Sequence, residues 1–129
     1  MEQLTDTKLE SLFKECNLED VWRNRSHELD DPSLDWSTVL SLGEQQRLQF
    51  CRLLWHFDWH KRHYPEEGFY AVLDEATSAL DEMTEEKILK SIMNMDKNLT
   101  IIMVTHRVNS LKNCNRIFRI TSKGYVREE

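Results

Sequence analysis

Two short apolar runs separated by one amphipathic stretch constrain this chain more than anything else in it. Phe69-Tyr-Ala-Val-Leu73 and Thr100-Ile-Ile-Met-Val-Thr105 are rich in aromatic and β-branched residues, the composition of buried strands. Between them Ile88, Leu89, Ile92 and Met95 recur at helical spacing over residues 82–95. Strand, helix, strand within about 35 residues implies a right-handed parallel crossover. The expected class is α/β.

A helical piece precedes this unit. Leu4, Leu9, Leu12, Phe13 and Leu18 follow a loose 3–4 spacing that predicts a helix over residues 1–23. Residues 24–40 are polar, irregular and broken at Pro32, which reads as a connector. From Gly43 to about Trp59 a second helix is expected, with Leu48, Cys51 and Trp55 in one stripe and Phe50, Leu54 and Phe57 beside it. Residues 60–68 carry Pro65 and Gly68 and read as a loop. The tail, Arg116–Ile120, then Ser122-Lys-Gly124, then Tyr125-Val126, predicts a hairpin.

Composition narrows the function classes. A chain of 129 residues is one domain or a piece of one. Its net charge of −6 is concentrated in residues 1–35, which hold ten acids and four bases. That balance disfavours nucleic acid, which calls for a basic stripe. It leaves a nucleotide open, because backbone N–H groups and a metal can hold phosphates. The apolar runs are far too short to cross a bilayer, and nothing at the N-terminus reads as a signal peptide. Cys16, Cys51 and Cys114 are scattered and lack CxxC spacing, so they are expected as reduced thiols of a cytosolic compartment.

Three segments carry chemistry. Ser41-Leu-Gly-Glu44 has the spacing of a capping box, and a helix start with a hydroxyl and a bare glycine also suits a phosphate. Asp74-Glu75 ends the first apolar run, where open α/β sheets bind ligands. There an Asp can hold Mg²⁺ and the next carboxylate can polarise a water for attack on phosphorus. His106 follows the second run and is expected at the same sheet edge, within reach of a γ-phosphate. Each segment alone also has a plain reading: a capped helix, a solvated acidic turn, a loop histidine. His56 and His60, at i,i+4, could face one metal, although Trp55, Phe57 and Trp59 around them suggest packing in an extended helix.

Together these segments resemble the ATPase domain of ATP-binding cassette (ABC) proteins. Leu40-Ser-Leu-Gly-Glu-Gln-Gln-Arg47 is similar to the signature motif, and Ala71-Val-Leu-Asp-Glu75 to Walker B with its glutamate. Ser78-Ala-Leu-Asp81 resembles the D-loop and Thr105-His-Arg107 the switch histidine. Asp35-Trp36 ahead of the signature, with Leu42 and Glu44 in place of the commoner Gly and Gln, is most similar to subfamily D and its bacterial relatives. The resemblance implies a partial P-loop NTPase-like domain. Residues 1–60 would be the end of the helical subdomain and residues 69–129 the α/β core. It also implies ATP and Mg²⁺, with Asp74 serving the metal, Glu75 as general base and His106 on the γ-phosphate. Asp81 would link two active sites, and Ser41, Gly43 and Glu44 would contact ATP held by a second ABC domain in a head-to-tail dimer. A transmembrane domain would tie the chain to a membrane, peroxisomal or of another organelle, with the ATPase face cytosolic.

The sequence departs from the family pattern in two places. No G-x-x-x-x-G-K-[ST] occurs, and Gly43, Gly68 and Gly124 are the only glycines, so the Walker A lobe is expected to be absent and the chain inactive alone. The link from Leu54 to Phe69 exceeds the family's by about ten residues, a loop-sized insertion. Without the flanking strands, sheet edges and apolar surface are expected to lie uncovered. Two alternatives remain: a non-catalytic module lending its signature face to a partner ATPase, and a soluble ABC-type ATPase of chromosome or repair complexes. Residues 1–30 show no sustained heptad, which counts against the second.

Overall fold

The computed structural model describes residues 5–129; Leu4, assigned above to the N-terminal apolar stripe, lies outside them. The single helix expected over residues 1–23 is instead two, α1 (Asp6–Glu15) and α2 (Glu19–Arg25). Asn17 makes the break. It adopts a left-handed φ of 58°, which Asn tolerates better than most residues. Its N–H donates to Lys14 O at 3.1 Å and the Leu18 N–H to Phe13 O at 2.8 Å, the paired bonds of a Schellman turn. Leu18 and Phe13 are both buried, which supplies the apolar contact that accompanies such a stop.

The connector holds one 3₁₀ turn (Ser26–Glu28) and a short helix, α3 (Trp36–Val39). Asp35 caps α3 by accepting from the Ser37 hydroxyl and N–H, and these bonds hold its carboxyl below the usual value. Then α4 (Leu42–His63) begins with the expected capping box: Ser41 Oγ accepts the Glu44 N–H at 3.2 Å, and the Glu44 carboxylate accepts the Ser41 N–H at 2.7 Å.

The helix runs to His63, one turn beyond the expected end, so the loop is shorter than residues 60–68. His60, Lys61, Arg62 and His63 place positive or proton-accepting groups at the C-terminal end of the helix dipole. The Trp59 and His63 rings stack at 4.3 Å, and Lys61 pairs with Asp96 at 2.7 Å. Tyr64, which precedes Pro65, ends the helix.

Strand β1 (Phe69–Asp74) pairs in parallel with β2 (Leu99–Val104), in register from Phe69↔Leu99 to Asp74↔Val104. The helix between them, α5 (Glu82–Met93), buries Ile88, Leu89 and Ile92 and stops short of Met95. A short helix, α6 (Val108–Leu111), follows β2, and β3 (Phe118–Ile120) pairs antiparallel with β4 (Val126–Glu128) as the expected hairpin.

One core joins the helical piece to the strands. Phe13, Leu18 and Val21 meet Phe50, Cys51 and Leu54 of α4, and these meet Leu73, Leu80, Ile88 and Ile92. Burying each large apolar side chain contributes about 1.5–3 kcal/mol relative to leaving it in water. The strands are covered on one face only. Ala71 and Leu73 point into the core, whereas Tyr70, Val72, Ile102 and Val104 are exposed. Parallel sheets are normally covered on both faces, so this surface stands open as expected. No helix among the described residues is long and apolar enough to cross a membrane.

Candidate functional site

The carboxyl ends of β1 and β2 set the site. Register places Asp74 beside Val104, and the Glu75 N–H donates to Val104 O at 2.9 Å. Glu75 turns sharply out of the strand with a left-handed φ of 49°, an unfavourable conformation for a residue with a side chain. Two residues beyond the end of β2, His106 presents Nε2 at 3.2 Å from Glu75 Oε1. The angles of that approach do not make a hydrogen bond, and no donor among the described residues reaches the solvent-shielded Oε1 with bonding geometry. His106 itself is 93% exposed. A carboxylate and an imidazole thus face each other at the open end of a parallel strand pair.

The helix start at Ser41 approaches this region through the loop after Glu75. Gln46 bridges the two: Nε2 donates to Ser78 Oγ at 2.8 Å and to Glu75 O at 3.4 Å, while Oε1 accepts the Ala79 N–H at 2.9 Å. A side chain at Gly43 would place its Cβ 3.0 Å from Ala79 O, so glycine permits this close approach. Gly43 and Gln46 therefore border the loop that runs from Glu75 to Asp81. Among the described residues Ser41 makes no hydrogen bond to Asp74, Glu75 or His106. The Glu44 carboxylate is engaged by the cap. Asp81 caps α5, accepting the Thr84 N–H at 2.9 Å and the Thr84 hydroxyl at 2.8 Å, and these bonds hold its carboxyl below the usual value.

Sequence reasoning passed over four buried or bridging groups. Glu85 is buried on α5, and its Oε1 accepts from the Thr77 hydroxyl at 2.6 Å and from the Ser110 hydroxyl. Arg107 Nη1 lies 3.4 Å from Glu85 Oε2 and donates to the carbonyls of Thr77 at 2.6 Å and Leu80 at 2.9 Å. A signal existed: Glu85 stands three and four positions before Ile88 and Leu89, an acid on the apolar stripe of its helix.

The donor chemistry fits Mg²⁺. Asp74 offers an exposed carboxylate and Glu75 an oxygen without a donor, and Mg²⁺ takes one or two carboxylates while keeping several waters. The His56 and His60 pair gains no such support. The His60 ring packs against Phe69 at 5.2 Å and Tyr64 at 5.5 Å, and no group of three His, Cys, Asp or Glu side chains among the described residues is placed to hold a metal.

No family model matches the chain, but curated relatives do. It is 31% identical over 111 residues to an uncharacterised ABC transporter ATP-binding protein of Bacillus subtilis, covering 86% of this chain and 18% of that protein. It is 41% identical over 88 residues to ABC transporter D family member 2, chloroplastic, of Arabidopsis thaliana, covering 68% of this chain and 11% of that protein. To multidrug resistance protein sirA of Leptosphaeria maculans it is 30% identical over 126 residues, 98% of this chain and 9% of that protein. The chain thus spans less than a fifth of the length of these relatives. Among solved structures, one from work on the ATP-driven dimerisation and DNA-stimulated activation of SMC ATPases matches with a TM-score of 0.51 at 18% identity, covering 71% of this chain and 54% of that one. That likeness shows the α/β ATPase fold alone. By its curated relatives, the chain belongs to the ATP-binding cassette family of ATPase domains.

Proposed function

We propose that this chain is part of the ATPase domain of an ABC transporter, of a type near subfamily D, and contributes to Mg-ATP hydrolysis within an assembly. The observation that carries the reading is the approach of His106 to Glu75 at 3.2 Å, at the ends of two adjacent parallel strands. In this reading Glu75 accepts a proton from the attacking water through its carboxylate, on a side chain 36% exposed at the sheet edge. His106 contacts the γ-phosphate and orients the water with Glu75. Asp74 would hold Mg²⁺, which when bound supplies charge neutralisation for the phosphates. Ser41 and Gly43, at the N-terminal end of α4, serve ATP carried by a second ABC domain arranged head to tail, with Glu44 fixing the helix start. Asp81, at the start of α5, links the two sites.

With no P-loop in the sequence, the chain alone holds the hydrolytic residues without a grip on ATP. Residues 1–60 then act as the end of a helical subdomain and residues 69–129 as part of the α/β core. The membrane, peroxisomal or other, is reached through a transmembrane partner. Equilibrium binding of Mg-ATP to the purified chain tests the half-site. No binding up to millimolar ATP is expected; saturable micromolar binding would mean that the chain builds a phosphate site of its own. Mixed with an intact ABC ATPase domain such as that of the Bacillus subtilis relative, the chain should raise hydrolysis. In an assembly that also supplies the missing phosphate-binding lobe beside this chain, an unchanged rate on Glu75→Gln would remove the role of general base.

The sequence leaves a second reading within the family, a soluble ABC-type ATPase. The Schellman turn that stops α1 at Glu15 argues against a long coiled coil entering the signature from residues 5–30. A lending role without catalysis is the third outcome. It predicts stimulation of the partner that survives Glu75→Gln but not Ser41→Ala.

A further inference from the structure

A loop, and a second loop that runs into α6, hold the groups at the sheet edge. Residues 75–81 follow β1 and residues 105–110 follow β2, and the strand ladder ends before both, at Asp74↔Val104. The strained Glu75 turn is fixed on its strand side by its N–H bond to Val104 O. On its far side, what holds the loop to the His106 segment is an ionic cluster of a buried carboxylate and a half-buried guanidinium.

Arg107, adjacent to His106, extends Nη1 across to the carbonyls of Thr77 at 2.6 Å and Leu80 at 2.9 Å. The cation is met by Glu85 at 3.4 Å, a carboxylate with 2% of its surface exposed. Glu85 also accepts from the hydroxyls of Thr77, on the first segment, and Ser110, on the second. The Arg107 N–H donates to Thr105 Oγ1 at 3.0 Å, so the backbone on both sides of His106 is tied down. A buried charge left without its partner is strongly destabilising, so such a cluster permits few arrangements.

We propose that Glu85, acting through Arg107, is a positioning residue that sets the spacing between Glu75 and His106. Glu85 touches neither of them. It stands on the rigid helix α5 and fixes Arg107, and Arg107 fixes the loop that follows Glu75 relative to the segment that carries His106. The cluster therefore transmits the position of one sheet-edge residue to the other. This rests on reading Glu75 and His106 as the working pair, although the arrangement itself needs no nucleotide.

The test uses the full chain, isotopically labelled, with the His106 ring resonances as readout. In the otherwise unaltered chain, Glu75→Gln removes the facing charge and shifts those resonances. The same Glu75→Gln change is then made in chains carrying Glu85→Gln or Arg107→Lys. Glu85→Gln keeps an acceptor for the two hydroxyls, and Arg107→Lys keeps a positive charge but on a side chain one bond shorter, whose ammonium falls short of the place from which Nη1 reaches both carbonyls. The expected result is that the response of His106 to Glu75→Gln falls by more than half in both backgrounds while the core resonances stay dispersed. An undiminished response in both would overturn the proposal. If Glu85→Gln alone unfolds the chain, the Arg107→Lys background decides. Unfolding of both would also overturn it, since the cluster would then be holding the core rather than the loop. Because the readout contains no ATP, the hydrolysis reading can fail while this coupling stands, and the coupling can fail while hydrolysis stands.

Discussion

The Gln46 carboxamide accepts the Ala79 N–H at 2.9 Å, binding the first turns of α4 to a loop 33 residues further along the chain. The same group donates to Ser78 Oγ and Glu75 O, so one side chain satisfies three positions of the loop that leaves β1. The helix start bearing Ser41 and the turn bearing Glu75 are therefore tied together by one side chain. The joint is a neutral amide, which can donate and accept at once as no carboxylate or ammonium can.

Removing that joint should loosen the loop before it harms the core. Gln46→Ala deletes three partly exposed hydrogen bonds, and a net cost of about 1–2 kcal/mol is expected in urea unfolding. Amide exchange at Ala79 should accelerate more than exchange at Leu73 or Ile92. Equal acceleration at all three sites would show that the amide supports global stability rather than the loop.

Gly43 is predicted to resist the usual gain from alanine. In an open helix Gly→Ala stabilises by about 0.5–1 kcal/mol. Here the added methyl would sit 3.0 Å from the carbonyl oxygen of Ala79, a backbone atom of a residue whose N–H is held by Gln46. Gly43→Ala should leave the melting temperature unchanged or lower, with the largest amide shifts at residues 78–80. A clear rise in melting temperature would mean that the loop yields freely.

Much of this arrangement was legible in the sequence, and what was not has identifiable causes. Both strands announced themselves because β-branched and aromatic runs of that length have few alternatives, and Ser41 and Glu44 stood at capping-box spacing. Asn17 did not, since a left-handed Asn interrupts a helix without interrupting its apolar pattern. The extra turn to His63 depends on ring stacking and on Asp96, which is distant in sequence. Glu85 was hidden for a related reason. An isolated acid reads as solvated until Arg107, Thr77 and Ser110 are seen to converge on it.

Acid should weaken the helix starts. Hydrogen bonds from Ser37 lower the carboxyl of Asp35, and the N–H and then the hydroxyl of Thr84 lower that of Asp81, both from an ordinary value of 3.8. A group whose folded value is depressed adds stability that is present above its unfolded value and lost as pH falls through the folded one. Melting temperature should therefore be insensitive to these groups down to about pH 5 and decline as pH drops below about 4. Asp81→Asn, which can still cap, should flatten part of that decline. A decline equally steep with Asn at this position would mean that Asp81 contributes nothing to it.

The uncovered sheet face makes the last prediction. Tyr70 and Val72 on β1 and Ile102 and Val104 on β2 alternate with the core residues, and Tyr70 is 72% and Val72 67% exposed. Because side chains alternate across a strand, polar substitution here leaves the buried set untouched. Replacing an exposed apolar residue removes no packing but does remove a surface that favours association. Val72→Thr with Ile102→Thr should change unfolding stability by less than about 0.5 kcal/mol. The same pair should lower self-association measured by sedimentation across a concentration series. If the double variant instead loses several times that stability while remaining monomeric, the face is covered within the single chain.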